Sequence, residues 1–262
     1  MKTIQELPTQ VDVEALEAKV KKMYRDVALN PEGDFHFEMG RQLAERLGYP
    51  TRMLDRIPAP AMDSFAGVGF YFHLADIDPG EFVVDLGSGA GMDAFYAALA
   101  TGPYGKVLGI DMTEEQLEKS ILLSLKNGFH HVNFTRAYIE ELPIKAGVVD
   151  AVISNGVINL SANKTKVFQE AARILKPGGR LAFSDIVSGV ELPQSITCNS
   201  TLWAACIGGA VTGATYLQMI EEAGLKVIMM EDNPAYEFLS NSAQGATSKY
   251  GIKSVSILAI KP

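Results

Sequence analysis

A chain of 262 residues with 47% hydrophobic and 21% charged residues has a globular profile, and it is long enough to bury one sizeable core, as one large domain or one domain with a small cap. Its 23 basic residues against 31 acidic ones leave a net charge of −8, which argues against a nucleic-acid partner, because non-specific binding needs a basic face that releases counterions. Two cysteines, Cys198 and Cys206, exclude a disulfide framework, and His36, His73, His130 and His131, without any Cys-x-x-Cys pair, disfavour a structural metal site.

Residues 12–29 carry Leu16, Val20, Met23 and Val27 at steps of four, three and four, one face of a helix that Asn30-Pro31 ends. A short helix follows over Arg41–Leu47 with Gly48 as its C-cap. From Pro50 to Gly80 the chain is rich in Pro and Gly without a long period, so residues 1–80 read as a helical N-terminal cap. From residue 81 to 262 short apolar runs alternate with helical stretches. Strands are expected at Phe82–Leu86, Lys106–Asp111, Val132–Arg136, Val149–Ser154, Arg180–Ile186, Leu225–Met230 and Ser254–Ile260. Helices are expected near Met92–Ala100, after a capping box of Thr113 and Gln116, and over Asn163–Leu175, the last closed by Lys176-Pro177-Gly178-Gly179. The alternation implies an α/β fold with a mostly parallel sheet covered on both faces, interrupted by an insertion at about 191–213. The first residues show no apolar leader and no stretch is long and apolar enough to span a bilayer, so a cytoplasmic protein with no membrane partner is expected.

Asp85-Leu86-Gly87-Ser88-Gly89-Ala90-Gly91 sits between a strand and a helix, the context of a nucleotide-binding turn. Asp111 ends the next strand, where a carboxylate can accept hydrogen bonds from both hydroxyls of a ribose. The glycines are spaced G-x-G-x-G rather than in the dinucleotide pattern, and Asp85 stands beside the place where a pyrophosphate would lie. S-adenosylmethionine carries no phosphate but has an ammonium and a sulfonium cation, so it suits this loop better than NAD. The competing reading is that Asp85 caps strand-end backbone and the glycines only turn the chain. Ile139-Glu140 follows the third strand, where it can flank an adenine or form a solvated turn. Asn155 and Asn159 follow the fourth strand, as hydrogen-bonding groups facing a reacting methyl or as ordinary turn formers.

Taken together these stretches resemble the class I S-adenosylmethionine-dependent methyltransferases over about residues 65–230. Within them the chain is most similar to the arsenite methyltransferases, on Val84–Gly89, Gly109–Thr113, Ile153-Ser154-Asn155, Val157–Leu160, Leu175–Arg180, Phe183-Ser184-Asp185 and Leu202–Ala210. The resemblance implies a Rossmann-like seven-stranded, mostly parallel sheet and methyl transfer to a small molecule. It also implies a cofactor site of Asp85, Gly87, Ser88, Gly89, Asp111, Met112, Ile139, Glu140 and Asn155, with Tyr24 closing over the cofactor's methionine end. Asn159, Trp203 and Cys206 are the implied substrate contacts, and Cys206 reads equally as a small buried hydrophobe. That family holds trivalent arsenic with cysteine thiolates, and here Val68 and Gly156 stand at two of the thiolate positions. If residues 195–207 form one helix, the sulfurs of Cys198 and Cys206 start about 12 Å apart along its axis and cannot grip one atom. Free inorganic arsenite is therefore not the expected substrate; a trivalent organoarsenical, a thiol or a non-catalytic cofactor-binding role are the alternatives. No oligomeric state is read from the sequence.

Overall fold

The computed structural model describes residues 12–35, 37–197, 203, 207–239 and 241–262. Strands β1 (Phe82–Leu86), β2 (Lys106–Asp111), β3 (Val132–Arg136), β4 (Val149–Asn155), β5 (Leu175–Val187), β6 (Lys226–Asp232) and β7 (Lys253–Ile260) form one sheet in the order β3-β2-β1-β4-β5-β7-β6. All neighbouring pairs are parallel except β5–β7 and β6–β7. The apolar runs of β1 and β4 are buried because helices cover both faces, so these strands read as continuous hydrophobic stretches rather than alternating ones.

The helices of the first two thirds are α1 (Val13–Leu29), α2 (Arg41–Leu47), α3 (Thr51–Leu54), α4 (Ala59–Asp63), α5 (Phe72–Ala75), α6 (Met92–Thr101), α7 (Glu114–Lys126) and α8 (Lys164–Ile174). Asp12 caps α1 through a 3.0 Å bond accepted from the Ala15 N–H, and Gly48 ends α2 in the left-handed conformation. Helices α3 to α5 lie in the Pro/Gly-rich stretch; each has four or five residues, too few for a period to show. Leu43, Leu54, Phe65 and Tyr71 share one buried cluster with Val83 and Phe95, so this stretch packs into the same core as the sheet. Leu16 and Val20 of α1 pack instead on Trp203.

Two expectations need correction. Strand β5 begins at Leu175, not Arg180: Leu175 pairs with Val149, and Gly178 and Gly179 exchange backbone hydrogen bonds with Lys261, so the Lys-Pro-Gly-Gly segment is bound at the sheet rather than only closing α8. Thr113 is the N-cap of α7, but its side chain makes no capping bond and Gln116 does not reach back to it. Gln116 is instead buried, and its amide nitrogen donates to the Tyr24 carbonyl of α1 at 2.8 Å.

Candidate active site

A cleft enclosing about 1220 Å³, part of it open to solvent, lies beyond the carboxyl ends of β1, β2 and β4 and beneath α1. The loop Gly87–Gly91 forms its floor. Gly87 has φ +71, and a Cβ there would meet Val157 at 2.4 Å, so both conformation and space demand glycine. The N–H groups of Gly87 and Ser88 donate to the Ile110 carbonyl, which ties the loop to β2. Asp111, at the end of β2, accepts from the Gly89 N–H at 2.9 Å on one oxygen and from the Thr113 N–H at 2.8 Å on the other. Its carboxyl is raised above the ordinary value by burial, against the lowering pull of those N–H groups.

Asp85 is 2% exposed, and burial, reinforced by the charges of Asp93 and Asp111, holds its carboxyl well above the usual carboxylate range. Asp93, in the first turn of α6, was not singled out in the sequence. It accepts from Tyr49 Oη at 2.7 Å, from Tyr71 Oη at 2.8 Å and from Asn155 Nδ2 at 3.0 Å. Asn155 uses its other end to accept from the Val68 N–H at 2.7 Å, and Nδ2 also donates to the Gly69 carbonyl at 3.1 Å. These bonds clasp the segment before β1 to the wall of the cleft. Asp93→Ala removes the carboxylate that accepts from two buried phenols and the half-buried Asn155 amide, and is expected to destabilise the protein by about 3 kcal/mol or more, read as a shifted urea midpoint at unchanged slope. An unmoved midpoint would mean that the three donors find other partners.

All ten residues expected at a cofactor site line this cleft: Tyr24, Asp85, Gly87, Ser88, Gly89, Asp111, Met112, Ile139, Glu140 and Asn155. Glu140 accepts from Ser161 Oγ at 2.5 Å. The expected substrate contacts are placed differently. Asn159 is fully buried below the cleft, its N–H donating to Asp185 at 2.8 Å. Trp203 is fully buried as well; its indole N–H donates to the Thr197 carbonyl and its ring lies 4.9 Å from Lys164 Nζ. Neither side chain lines the cleft. Cys198 and Cys206 both lie outside the described residues. Val68 is 1% exposed, and a Cβ built at Gly156 would come within 3.2 Å of Val68 Cγ1. The two positions are thus neighbours, and Val68 fills the space beside Gly156.

The lining contains Glu17, Asp85, Asp93, Asp111 and Glu140 and, among the described residues, no lysine or arginine. Three buried polar atoms on this lining have no hydrogen-bond partner among the described residues: Asp85 Oδ2, Ser88 Oγ and Gln116 Oε1. Gln116 Oε1 is a pure acceptor, and Asp85 Oδ2 becomes one when its carboxyl is ionised. The wall therefore fits a ligand that brings hydroxyl and ammonium donors and positive charge, and it opposes a pyrophosphate. S-adenosylmethionine meets these requirements and NAD does not.

The profile of a family described as a methyltransferase domain matches residues 77–224. An arsenite methyltransferase from Halobacterium salinarum is 37% identical over 220 residues, covering 82% of this chain and 56% of that protein. The human arsenite methyltransferase is 44% identical over 139 residues, 50% of this chain and 37% of that one. The chain thus spans about half or less of the length of these curated relatives. The structure of CrArsM, an arsenic (III) S-adenosylmethionine methyltransferase from Chlamydomonas reinhardtii, aligns with a TM-score of 0.63 at 28% identity over 86% of this chain and 75% of that one. A geranyl diphosphate C-methyltransferase from Streptomyces coelicolor A3(2), solved with S-adenosyl-L-homocysteine, shares the fold at a TM-score of 0.65 and 15% identity, over 94% of this chain and 98% of that one.

Proposed function

Because this chain belongs to the methyltransferase domain family, whose cofactor is S-adenosylmethionine, we propose that it transfers a methyl group from that cofactor to a small molecule other than free inorganic arsenite. The observation that carries the reading is the acidic, base-free cleft with its three unpartnered polar atoms at the ends of β1 and β2. Bound there, S-adenosylmethionine supplies an electrophilic methyl on a cationic sulfur. Asp111 would hold the ribose, Glu140 and Ile139 the adenine, and Asp85 the charge of the amino-acid end. Helix α1, with Tyr24, would cover the cleft and exclude water, leaving Phe65, Met92, Val157 and Leu160 as apolar walls for a displacement that depends on alignment.

The substrate reading rests on Val68 and Gly156. Trivalent arsenic is soft and takes two or three sulfur ligands, and neither side chain offers one. A methylated trivalent arsenical or a thiol needs fewer ligands and suits the apolar wall. A cytoplasmic setting accords with two cysteines in 262 residues, and among the described residues no helix is long and apolar enough to cross a membrane.

The test is a calorimetric titration with S-adenosylmethionine, S-adenosylhomocysteine and NAD, followed by turnover with labelled methyl donor. The first two are expected to bind and NAD not. Tight NAD binding without S-adenosylhomocysteine binding overturns the reading, and binding without turnover on any acceptor would leave a non-catalytic cofactor-binding protein.

The raised carboxyls add a signed expectation. In the free protein burial raises the Asp111 carboxyl above its ordinary value and holds Asp85 well above it. A bound cation favours their ionised forms, so binding releases protons, and affinity for S-adenosylmethionine rises with pH until the raised values of the free carboxyls are passed. S-adenosylhomocysteine lacks the sulfonium charge and shows a smaller rise. Titrations in buffers of different ionisation enthalpy measure the release; observed heats that do not vary with the buffer would show that both groups are already ionised in the free protein.

A further inference from the structure

Asn159 and Trp203 adjoin two buried charges that stand behind the cleft wall: Lys164 at the start of α8, 4% exposed, and Asp185 near the end of β5, fully buried. Burial lowers the Lys164 ammonium to about 8 and raises the Asp185 carboxyl to about 6, so both are charged at neutral pH. Charges this deep are costly unless neighbouring groups use them. Each is spent on the backbone of one short segment. Asp185 Oδ2 accepts from the Asn159 N–H at 2.8 Å, and Lys164 Nζ donates to the Ser161 carbonyl at 2.8 Å. An anion thus holds an N–H and a cation holds a carbonyl, and both bonds are charge-assisted. Leu160 is the residue between them. It ends the 3₁₀ turn Ile158–Leu160, lines the cleft and packs on the cluster of Trp203, Leu16 and Val20. The two charges are themselves backed. The Trp203 ring lies 4.9 Å from Lys164 Nζ, and Tyr216 Oη donates to Asp185 Oδ2 at 2.8 Å. A Cβ at Gly209 would come within 2.1 Å of the Asn159 carbonyl oxygen, so only glycine lets the backbone close on the turn from behind.

We propose that Lys164 and Asp185 are positioning residues for methyl transfer: by holding the Ser161 carbonyl and the Asn159 N–H, they fix Leu160 as the wall against which the methyl acceptor is aligned. The proposal rests on the methyl-transfer reading above and adds to it two residues that touch neither cofactor nor acceptor. An in-line displacement tolerates little misplacement of the nucleophile, so a wall that yields lowers the rate without loosening the cofactor. The adenine side of the same segment has its own tether, since Ser161 Oγ donates to Glu140 and accepts from the Asn163 N–H. Loss of either buried charge is therefore felt at Leu160 first.

The experiment uses the full chain. It measures acceptor kcat and KM at saturating S-adenosylmethionine, and S-adenosylhomocysteine affinity by calorimetry. The acceptor is a methylated trivalent arsenical or a small thiol, whichever the parent turns over. Lys164→Met keeps the stem and removes the donor, Asp185→Asn keeps the volume and removes the charge, and Leu160→Ala removes the wall itself. Each is expected to lower acceptor kcat/KM about tenfold while binding S-adenosylhomocysteine within about threefold of the parent. Because both residues act through Leu160, adding Lys164→Met or Asp185→Asn to Leu160→Ala is expected to cost less than about twofold more. If Lys164→Met does not fold, Asp185→Asn carries the same cycle. Arg180→Met is the control, earlier on the same strand, where it removes bonds to Glu81 and the Asp76 carbonyl. It is expected to lower the unfolding temperature and leave acceptor kcat/KM unchanged. Losses that multiply in the double variants, an equal loss of S-adenosylhomocysteine affinity, or an equal kinetic loss in Arg180→Met overturn the positioning role and leave the methyltransferase reading intact. A parent that binds S-adenosylhomocysteine but turns over no acceptor overturns that reading, and the proposal with it.

Discussion

Asp111→Ala is expected to weaken S-adenosylhomocysteine binding about a hundredfold, because the carboxylate is asked to accept from two ribose hydroxyls and each charged hydrogen bond contributes about 1.5–3 kcal/mol. The structure adds a second route to the same loss. The two oxygens of Asp111 already receive the Gly89 and Thr113 N–H groups, so the side chain also sets the glycine loop against the start of α7. Removing it frees both ends of the floor on which the cofactor would rest. Asp111→Asn separates the two contributions. It keeps the volume and one acceptor oxygen but exchanges the second acceptor for a donor that faces an N–H, so an intermediate loss of roughly tenfold is expected. Strand β2 is paired along its length with β1 and β3, so the unfolding temperature of either variant should move little compared with Asp93→Ala. Affinity within twofold of the parent in Asp111→Ala would show that this carboxylate serves the loop and not a ligand.

Strands β1 and β4 were legible because burial on both faces makes them short, mostly apolar runs, and β1 has the expected bounds to the residue. The glycine loop was legible for a different reason, since close backbone approach excludes every other residue type there. What failed were features that depend on tertiary neighbours. Thr113 and Gln116 have the spacing of a capping box, but α1 lies over that turn and its Tyr24 carbonyl takes the Gln116 amide instead. Asp93 carries an ordinary sign, an acidic residue in a helix's first turn, and its partners Tyr49 and Tyr71 lie 44 and 22 residues away in the sequence. Asn159 and Trp203, expected as substrate contacts, stand apart from the cleft lining: the Asn159 backbone N–H donates to Asp185, and Trp203 packs beneath α1 with its indole N–H on the Thr197 carbonyl.

Arsenite is expected to be turned over at least tenfold less efficiently than a methylated trivalent arsenical, and the double variant Val68→Cys with Gly156→Cys is expected to create an arsenite site that the parent lacks. The parent offers no sulfur at either position, and one thiol elsewhere cannot satisfy a centre that takes two or three. Geometry makes the repair feasible. A Cβ at Gly156 would approach Val68 Cγ1 to 3.2 Å, and a cysteine sulfur at 68 occupies much the same place as a valine methyl, so two sulfurs can meet one atom there. The repair has a stability cost. Gly156 has φ +72, a left-handed conformation in which a side chain is strained, so Gly156→Cys alone should destabilise by about 1 kcal/mol or more. Val68→Cys should cost less, since it removes only one methyl-sized group from a buried site. Stability of the two single variants therefore checks the backbone argument, and arsenite titration of the double variant, followed through the single tryptophan, checks the ligand argument. Efficient arsenite methylation by the parent would overturn the substrate reading. A folded double variant that still ignores arsenite would show that the two positions, although adjacent, do not present their sulfurs to a common point.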